Sequence, residues 1–142
     1  MAGTYYSLDR LSEADRKQLT EDNFIFKIGD RFQEAAGINR DWPEGRGVFH
    51  NKKKNLLVWI NDEDHLKVIT MEEGCNFNGV FSRLARVCTK IQETCQFAHN
   101  SQLGYITTRP STLGTALRIS VLVQLPKLKE HRKQFFAITE RY

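Results

Sequence analysis

The sequence lacks the features that would place it in a membrane or outside the cell. Its longest apolar run, residues 56–60, is far too short to cross a bilayer. The start has no basic region followed by an apolar stretch, so we predict no secretory signal. The cysteines, Cys75, Cys88 and Cys95, are three in number and have no metal-type spacing. They predict a reducing, cytoplasmic environment with no metal site.

Several functional classes are disfavoured by what is missing. No Gly-rich phosphate loop is present, and no carboxylate–histidine arrangement suggests a protease. The net charge of +4 is mild, and no broad basic face with interleaved aromatic residues is evident, so we predict no nucleic-acid partner. The lysine cluster at residues 52–54 is typical of a solvated turn. A small anionic ligand such as a nucleotide would still suit a modest positive charge.

What is present is enough apolar sequence for one domain, since 40% of the 142 residues are hydrophobic. Caps and apolar periodicity predict helices over residues 13–21, 31–36 and 77–91, and from 129 to the end. Alternation and flanking turns predict strands over residues 48–51, 56–60, 66–71, 105–108 and 117–124. Consecutive strands with one long helix inserted favour an α+β domain, an antiparallel sheet with helices on one face.

An acidic cluster lies between two of the predicted strands. Asp62, Glu63 and Asp64 follow one another, and His65 comes directly after them. The cluster is either the solvated turn of a hairpin or the rim of a site where acidic groups work. His65 and His50 have no metal partner at helical spacing, so both are interpreted as structural. The two tryptophans, Trp42 and Trp59, are interpreted as packing residues.

Five phrases, in the same order and spacing over nearly the whole chain, resemble the phosphagen kinases, the ATP:guanidino phosphotransferases that include arginine and creatine kinase. The phrases are GTYYSL, DNFIFKIGDRFQEAAG, DWPEGRGVFHN, LLVWINDEDHLKVI and RPSTLGTALRISVLVQLPKL. KIGDRF and FAHNSQLGYIT are closest to arginine kinase. The resemblance implies that residues 1–142 are part of the family's C-terminal catalytic domain, an antiparallel sheet flanked by helices. The family's helical N-terminal domain and the last part of its catalytic domain are expected to be absent.

The resemblance also implies roles for particular residues. Phosphoryl transfer to a guanidinium needs arginines around the phosphates and a carboxylate that orients the guanidinium. By resemblance, Glu63 is that carboxylate, and Arg118 and Lys67 contact the nucleotide phosphates. Arg118 could equally be a surface arginine at the edge of a strand. MgATP or MgADP is the implied cofactor if any activity remains, and no other cofactor is expected.

The sequence departs from the family at positions that contact ligands. The reactive cysteine of the family's loop is Arg109 here. An arginine at that position would either repel a guanidinium substrate or occupy its place and pair with Glu63. Lys67 replaces a phosphate-binding arginine and loses the bidentate fork. Three further ligand positions of the family are changed, at Asn23, Thr112 and Leu122.

Because the scaffold phrases are kept while the ligand positions change, we expect a degenerate, non-catalytic domain that serves as a structural or interaction module. The alternative is a fragment of an active phosphagen kinase. A sheet that lacks strands would expose apolar surface and an unpaired edge. We therefore expect a protein partner, a larger assembly or a homo-oligomer to cover that edge, and no membrane partner. The expected location is cytoplasmic, with cytoskeletal or flagellar association by analogy with the family.

Overall fold

The sheet of the domain is antiparallel and has four strands. The computed structural model describes residues 2–141. Strands pair in the order β1-β2-β3-β4, with ranges Gly3–Ser7, Gly47–Asn51, Leu56–Ile60 and Leu66–Thr70. The lysine cluster forms the tip between β2 and β3, as predicted, whereas β1 was not predicted. A separate two-stranded ribbon pairs β5, His99–Asn100, with β6, Gly104–Tyr105.

Four α-helices accompany the sheet. They are α1, α2, α3 and α4, over Glu13–Glu21, Arg31–Ala35, Phe77–Gln92 and Arg132–Thr139. Short 3-10 helices cover Leu8–Arg10, Pro110–Thr112 and Pro126–His131. The predicted last helix therefore begins at Arg132 after a 3-10 turn, and the part of the prediction at residue 142 lies outside the described residues. Among the described residues, no helix has the length and apolar character needed to cross a membrane.

Local capping explains where the helices begin. The Ser12 side chain accepts a hydrogen bond from the backbone N–H of Asp15 at the start of α1. Asp30 accepts from two backbone N–H groups of α2, and the side chain of Gln33 accepts from the N–H of Asp30 in return. Asn76 accepts from the N–H of Gly79 at the start of α3. The sequence predicted the helix start at Ser12, whereas the caps at Asp30 and Asn76 were not predicted.

The core consists of two apolar clusters, one on each face of the sheet. The first contains Leu8, Leu19, Phe24, Phe26, Val48 and Leu57, and the second contains Leu56, Val58 and Val87. Neighbouring residues of β3 enter different clusters because successive side chains of a strand point to opposite faces. Since Leu19 belongs to α1 and Val87 to α3, helices cover both faces. The α+β fold is confirmed, but the prediction that all helices lie on one face is wrong.

Two predicted strands do not form as expected. Of residues 105–108, only Tyr105 lies in a strand. Residues 117–124 belong to no strand, and their apolar side chains are exposed, with Leu122 98% exposed. Alternation predicted a strand here, but a strand also needs a neighbour for its hydrogen bonds. None of the described residues supplies one for this segment.

Candidate active site

The acidic cluster forms the turn that joins β3 to β4. Asn61 adopts a left-handed backbone with a φ of 54°, a conformation that asparagine tolerates better than most residues. Its backbone N–H donates to the carbonyl of His65 at 3.0 Å, and its side-chain amide donates to the carbonyl of Gly45 at 2.7 Å. The second bond ties the turn to the loop that precedes β2. The turn is thus stabilised by one hydrogen bond within it and by one to a neighbouring loop.

Glu63 and Arg109 form an ion pair across 46 residues of sequence. Arg109 donates from Nε to the Oε1 oxygen of Glu63. The Glu63 side chain is 13% exposed and the Arg109 side chain is 59% exposed. The hydrogen bond and the charge of Glu63 raise the pKa of Arg109 above its usual value, and the charges of Asp30 and Asp62 add to the effect. Of the two outcomes left open by the sequence, pairing with Glu63 is the one observed.

The loop that carries Arg109 is fastened to the acidic turn by its backbone as well. The N–H of Thr108 donates to Asp64 Oδ1 at 2.7 Å, and the Thr108 hydroxyl donates to the carbonyl of Glu63 at 3.0 Å. The hydroxyls of Thr107 and Thr112 are hydrogen-bonded at 3.0 Å, which connects the loop to the 3-10 helix Pro110–Thr112. Asp64 was named from the sequence only as a member of the acidic cluster, and Thr108 was not named, because no local pattern links residues 44 positions apart.

An open cleft of about 340 Å³ lies beside the ion pair. Its lining residues come from α2 and the adjoining loop on one side and from the Glu63–Arg109 region on the other: Asp30, Phe32, Gln33, Ala36, Ile38, Glu63, Thr108, Arg109 and Pro110. The lining mixes apolar groups with charges of both signs. The carboxylate of Glu63 in this lining already has a cationic partner, Arg109.

Two buried polar residues hold the α2 wall of this cleft. Asn39 forms a reciprocal pair with the backbone of Gly29, at 3.0 Å and 3.1 Å. Arg46 donates to the carbonyls of Ile38 at 2.6 Å and Glu44 at 2.8 Å, and its guanidinium stacks on Trp42. Its Nε is buried without a hydrogen-bond partner among the described residues. Sequence reasoning missed both residues, since neither burial nor these partners can be read from local patterns.

Comparison with known proteins identifies the domain to which this site belongs. Residues 1–142 match the family described as ATP:guanido phosphotransferase, C-terminal catalytic domain. The chain belongs to this family. The resemblance noted in the sequence is thereby confirmed over the full length of the chain.

Individual relatives agree with that assignment. The chain is 53% identical over 131 residues to an arginine kinase of Anthopleura japonica, covering 92% of this chain and 18% of that protein. It is 43% identical over 142 residues to an arginine kinase of Artemia franciscana, covering 100% of this chain and 40% of that protein. A solved structure, the duplicated taurocyamine kinase from Schistosoma mansoni with bound transition state analog components, matches with a TM-score of 0.83 at 48% identity, over 96% of this chain and 19% of that one. The chain thus spans less than half of each relative's length.

Lys67, one of the two implied phosphate contacts of this phosphotransferase domain, lies on β4. Its Nζ is 4.8 Å from the centre of the Trp59 ring and 3.7 Å from Asp62 Oδ2. The ammonium is half exposed. It therefore stands at the acidic turn, engaged with two neighbours and still accessible from solvent.

Arg118, the other implied phosphate contact, lies in the exposed segment 117–124. Within the part of the chain that the structure describes, it has no side-chain hydrogen bond or ion pair, and it does not line the cleft. The changed ligand position Leu122 lies in the same segment, and Asn23 is exposed just after α1 with a φ of 56°. The structure thus joins Glu63 to Arg109 but does not gather the phosphate contacts into the same cleft.

The other residues singled out from the sequence have structural roles. His50 stacks on Tyr6, with ring centres 5.6 Å apart, and its Nδ1 lies 3.0 Å from the carbonyl of Asn51. Trp59 donates from Nε1 to the carbonyl of Phe24 at 2.7 Å. Both tryptophans pack against Phe26. Among residues 2–141, no group of three or more His, Cys, Asp or Glu is placed to hold a metal ion.

Proposed function

We propose that this chain is a degenerate arginine-kinase-like domain that does not itself transfer phosphoryl groups and that serves as a structural or interaction module in a larger assembly. The observation that carries the proposal is the ion pair between Arg109 and Glu63. By family resemblance, Glu63 is the carboxylate that faces the guanidinium of the substrate. Here that carboxylate holds a guanidinium that belongs to the chain.

The physical reason is competition for one acceptor. A guanidinium substrate would have to displace Arg109 from Glu63 and then remain close to the displaced cation. An intramolecular competitor acts at an effective concentration of the order of millimolar for a flexible tether. Arg109 is held more firmly than that, since Thr108 is bonded to Glu63 and Asp64. Binding of a guanidino compound at Glu63 is therefore expected to be weak.

The nucleotide side of the site supports the same proposal. Lys67 is a point charge that shares its position with Asp62 and the Trp59 ring, and it lacks the planar fork with which arginine holds phosphate oxygens. Arg118 stands in an exposed segment that pairs with no strand among residues 2–141. We expect any remaining binding of MgATP or MgADP to be weak, because phosphoryl transfer depends mainly on positioned charge.

The second candidate is a fragment of an active phosphagen kinase that transfers the γ-phosphoryl group of ATP to a guanidino substrate. It is favoured by the 53% identity to an arginine kinase and by the span of the chain, which covers 18% of that protein. The larger part of such an enzyme would then supply the remaining contacts. Arg109, with 59% of its side chain exposed, would have to turn away from Glu63.

Isothermal titration calorimetry distinguishes the two candidates. MgADP, and then arginine with nitrate, would be titrated into the chain, into Arg109→Cys and into the control Arg40→Cys. Arg40 also pairs with a carboxylate, Asp41, but on the exposed surface. We expect no heat from the wild type or the control at millimolar ligand, and arginine-dependent heat only from Arg109→Cys. Circular dichroism would show that all three are folded.

The outcomes have separate meanings. Micromolar MgADP binding by the wild type, strengthened by arginine and nitrate, would overturn the non-catalytic proposal in favour of the kinase fragment. Absence of heat from Arg109→Cys would show that Arg109 is not the sole cause of the lost binding and that changes on the nucleotide side, such as Lys67, are sufficient for it. The cytoplasmic location, with cytoskeletal or flagellar association, stays a prediction that imaging of a tagged chain would test.

A further inference from the structure

Residues 117–125 form an exposed segment whose sequence has the pattern of a strand. Its odd-numbered positions are all apolar and all exposed: Leu117, Ile119, Val121, Val123 and Leu125. This period of two with β-branched residues is typical of a half-buried strand. The segment begins just after an isolated bridge between Tyr105 and Gly114, and no strand among the described residues pairs with it.

The main sheet ends in a free edge at β4. Met71 donates from its N–H to the carbonyl of Asn55 at 3.2 Å, and Asn61 donates to the carbonyl of His65 at 3.0 Å. Because hydrogen-bonded pairs alternate in an antiparallel ladder, the N–H and C=O groups of Leu66, Val68 and Thr70 point away from β3. These three residues offer a row of unpaired donors and acceptors, which is a template for another strand.

Helix α3, which packs on β4, also has exposed apolar side chains. The Thr70 hydroxyl of β4 donates to the carbonyl of Val80 in this helix at 3.2 Å. In the first two turns of α3, Phe77 and Phe81 remain 57% and 55% exposed. A strand added beside β4 would continue the sheet beneath α3 and give these rings apolar neighbours.

Residues 117–125 carry one charge, Arg118, and the basic part of the chain follows directly after them. Of the acids beside β4, Asp62, Glu63 and Glu72 already pair with cations of the same chain. Opposite charge therefore contributes little to the encounter of the two surfaces. Their match rests on the unpaired backbone groups of β4 and on the exposed apolar side chains.

We propose that two copies of this chain associate by exchanging strands, with residues 117–125 of each copy adding antiparallel to the free edge of β4 in the other. The segment does not pair with β4 of its own chain, and Ala116, with a φ of 50°, turns the backbone immediately before it. Mutual exchange closes around a two-fold axis and leaves neither surface open. This inference deepens the proposed interaction role by naming its partner as a second copy.

Sedimentation equilibrium over a wide range of concentration tests the association. We expect the mass to rise from 16.5 kDa towards twice that value. Val121→Pro removes a backbone N–H from each exchanged strand. One such hydrogen bond is worth roughly tenfold, so the dissociation constant of the dimer should rise about a hundredfold. The matched control Val121→Thr keeps the β-branched shape and the N–H, and should still dimerise.

Hydrogen exchange at the amide of Val68 in β4 provides a second measurement that does not depend on a variant folding. Protection that increases with concentration in the wild type is the expected result. A chain that stays monomeric at all concentrations would overturn the proposal. So would a dimer that survives Val121→Pro with Val68 unprotected, or protection of Val68 that is already complete in the monomer. Calorimetry measures binding at the Glu63 site, and sedimentation measures association through residues 117–125. The non-catalytic proposal and the strand-exchange proposal can therefore fail independently.

Discussion

Arg109 shows how one side chain changes what a neighbouring carboxylate can bind. The sequence located this residue as a departure from the family, and it left open whether the arginine would repel a substrate or pair with Glu63. The choice depended on the position of the 107–112 loop relative to the acidic turn. That position is set by Thr108, whose backbone N–H donates to Asp64.

Lys54 provides a residue-scale prediction. Its ammonium donates to Asp22 and is the main cause of the lowered pKa of that carboxyl, with a smaller contribution from Gln18. Lys54→Asn should therefore raise the pKa of Asp22 towards its ordinary value. Asparagine is chosen because position 54 has a φ of 54°. An NMR titration of the Asp22 carboxyl carbon would measure the change.

The matched control is Lys52→Asn, at the other end of the same hairpin tip. No change in the pKa of Asp22 is expected from it, because the contact is made by Lys54. Equal shifts from both variants would mean that the general charge of the tip, and not the Lys54 contact, lowers the pKa. The sequence predicted a solvated turn here, and it could not reveal a partner 32 residues earlier in the chain.

At the scale of elements, the turn between β3 and β4 depends on Asn61. Asn61→Ala would remove the hydrogen bond to the carbonyl of Gly45 and place alanine in a left-handed conformation. We expect a loss of roughly 2 kcal/mol in the free energy of unfolding, about half from each effect. Asn61→Gly should lose less, since glycine adopts this conformation without strain. Urea unfolding would measure both, and an equal loss would contradict a role for the backbone conformation.

Some elements were predictable and others were not, for physical reasons. Helix α1 begins at the Ser12 cap with acids in its first turn, and α3 has an apolar stripe, so local sequence was sufficient to locate both. The hairpin of β2 and β3 was predictable because its two strands are neighbours in sequence. β1 pairs with β2, whose residues lie 40 to 48 positions later in the chain, and it was missed. Residues 117–124 have the composition of a strand, but composition cannot provide a partner.

At the scale of the whole molecule, stability should fall in acid. The pKa values of Asp9, Asp22 and Glu72 are lowered in the fold, chiefly by hydrogen bonds from Ser7, Lys54 and Arg83 respectively. Their contribution to stability is present above the unfolded values of about 4 and is lost as pH falls through the lower folded values. The urea midpoint should be steady between about pH 5 and 7 and should fall below about pH 4.

Lys54→Asn offers an internal comparison for this pH dependence. With the Asp22 pKa nearer its ordinary value, that group binds protons alike in both states, so the variant should lose less stability on acidification than the wild type. A steeper loss in the variant would contradict the assignment.

At high pH, Cys88 gives stability the opposite dependence on pH, because burial raises the pKa of its thiol. Its contribution is present at neutral pH and is lost as pH rises above about 8.5.

The sequence by itself determined the family, the α+β class, the main helices, the β2–β3 hairpin and the identity of the acidic turn. Each of these depends on residues that are close in sequence or on phrases that match the family as a whole. Only the tertiary structure decided that Arg109 pairs with Glu63, that helices cover both faces of the sheet, and that residues 117–124 have no neighbouring strand within residues 2–141. These features depend on contacts between distant segments, which local conformational preference does not determine. Packing of the two core clusters places the helices, and the hydrogen bonds of Thr108 place the loop that carries Arg109.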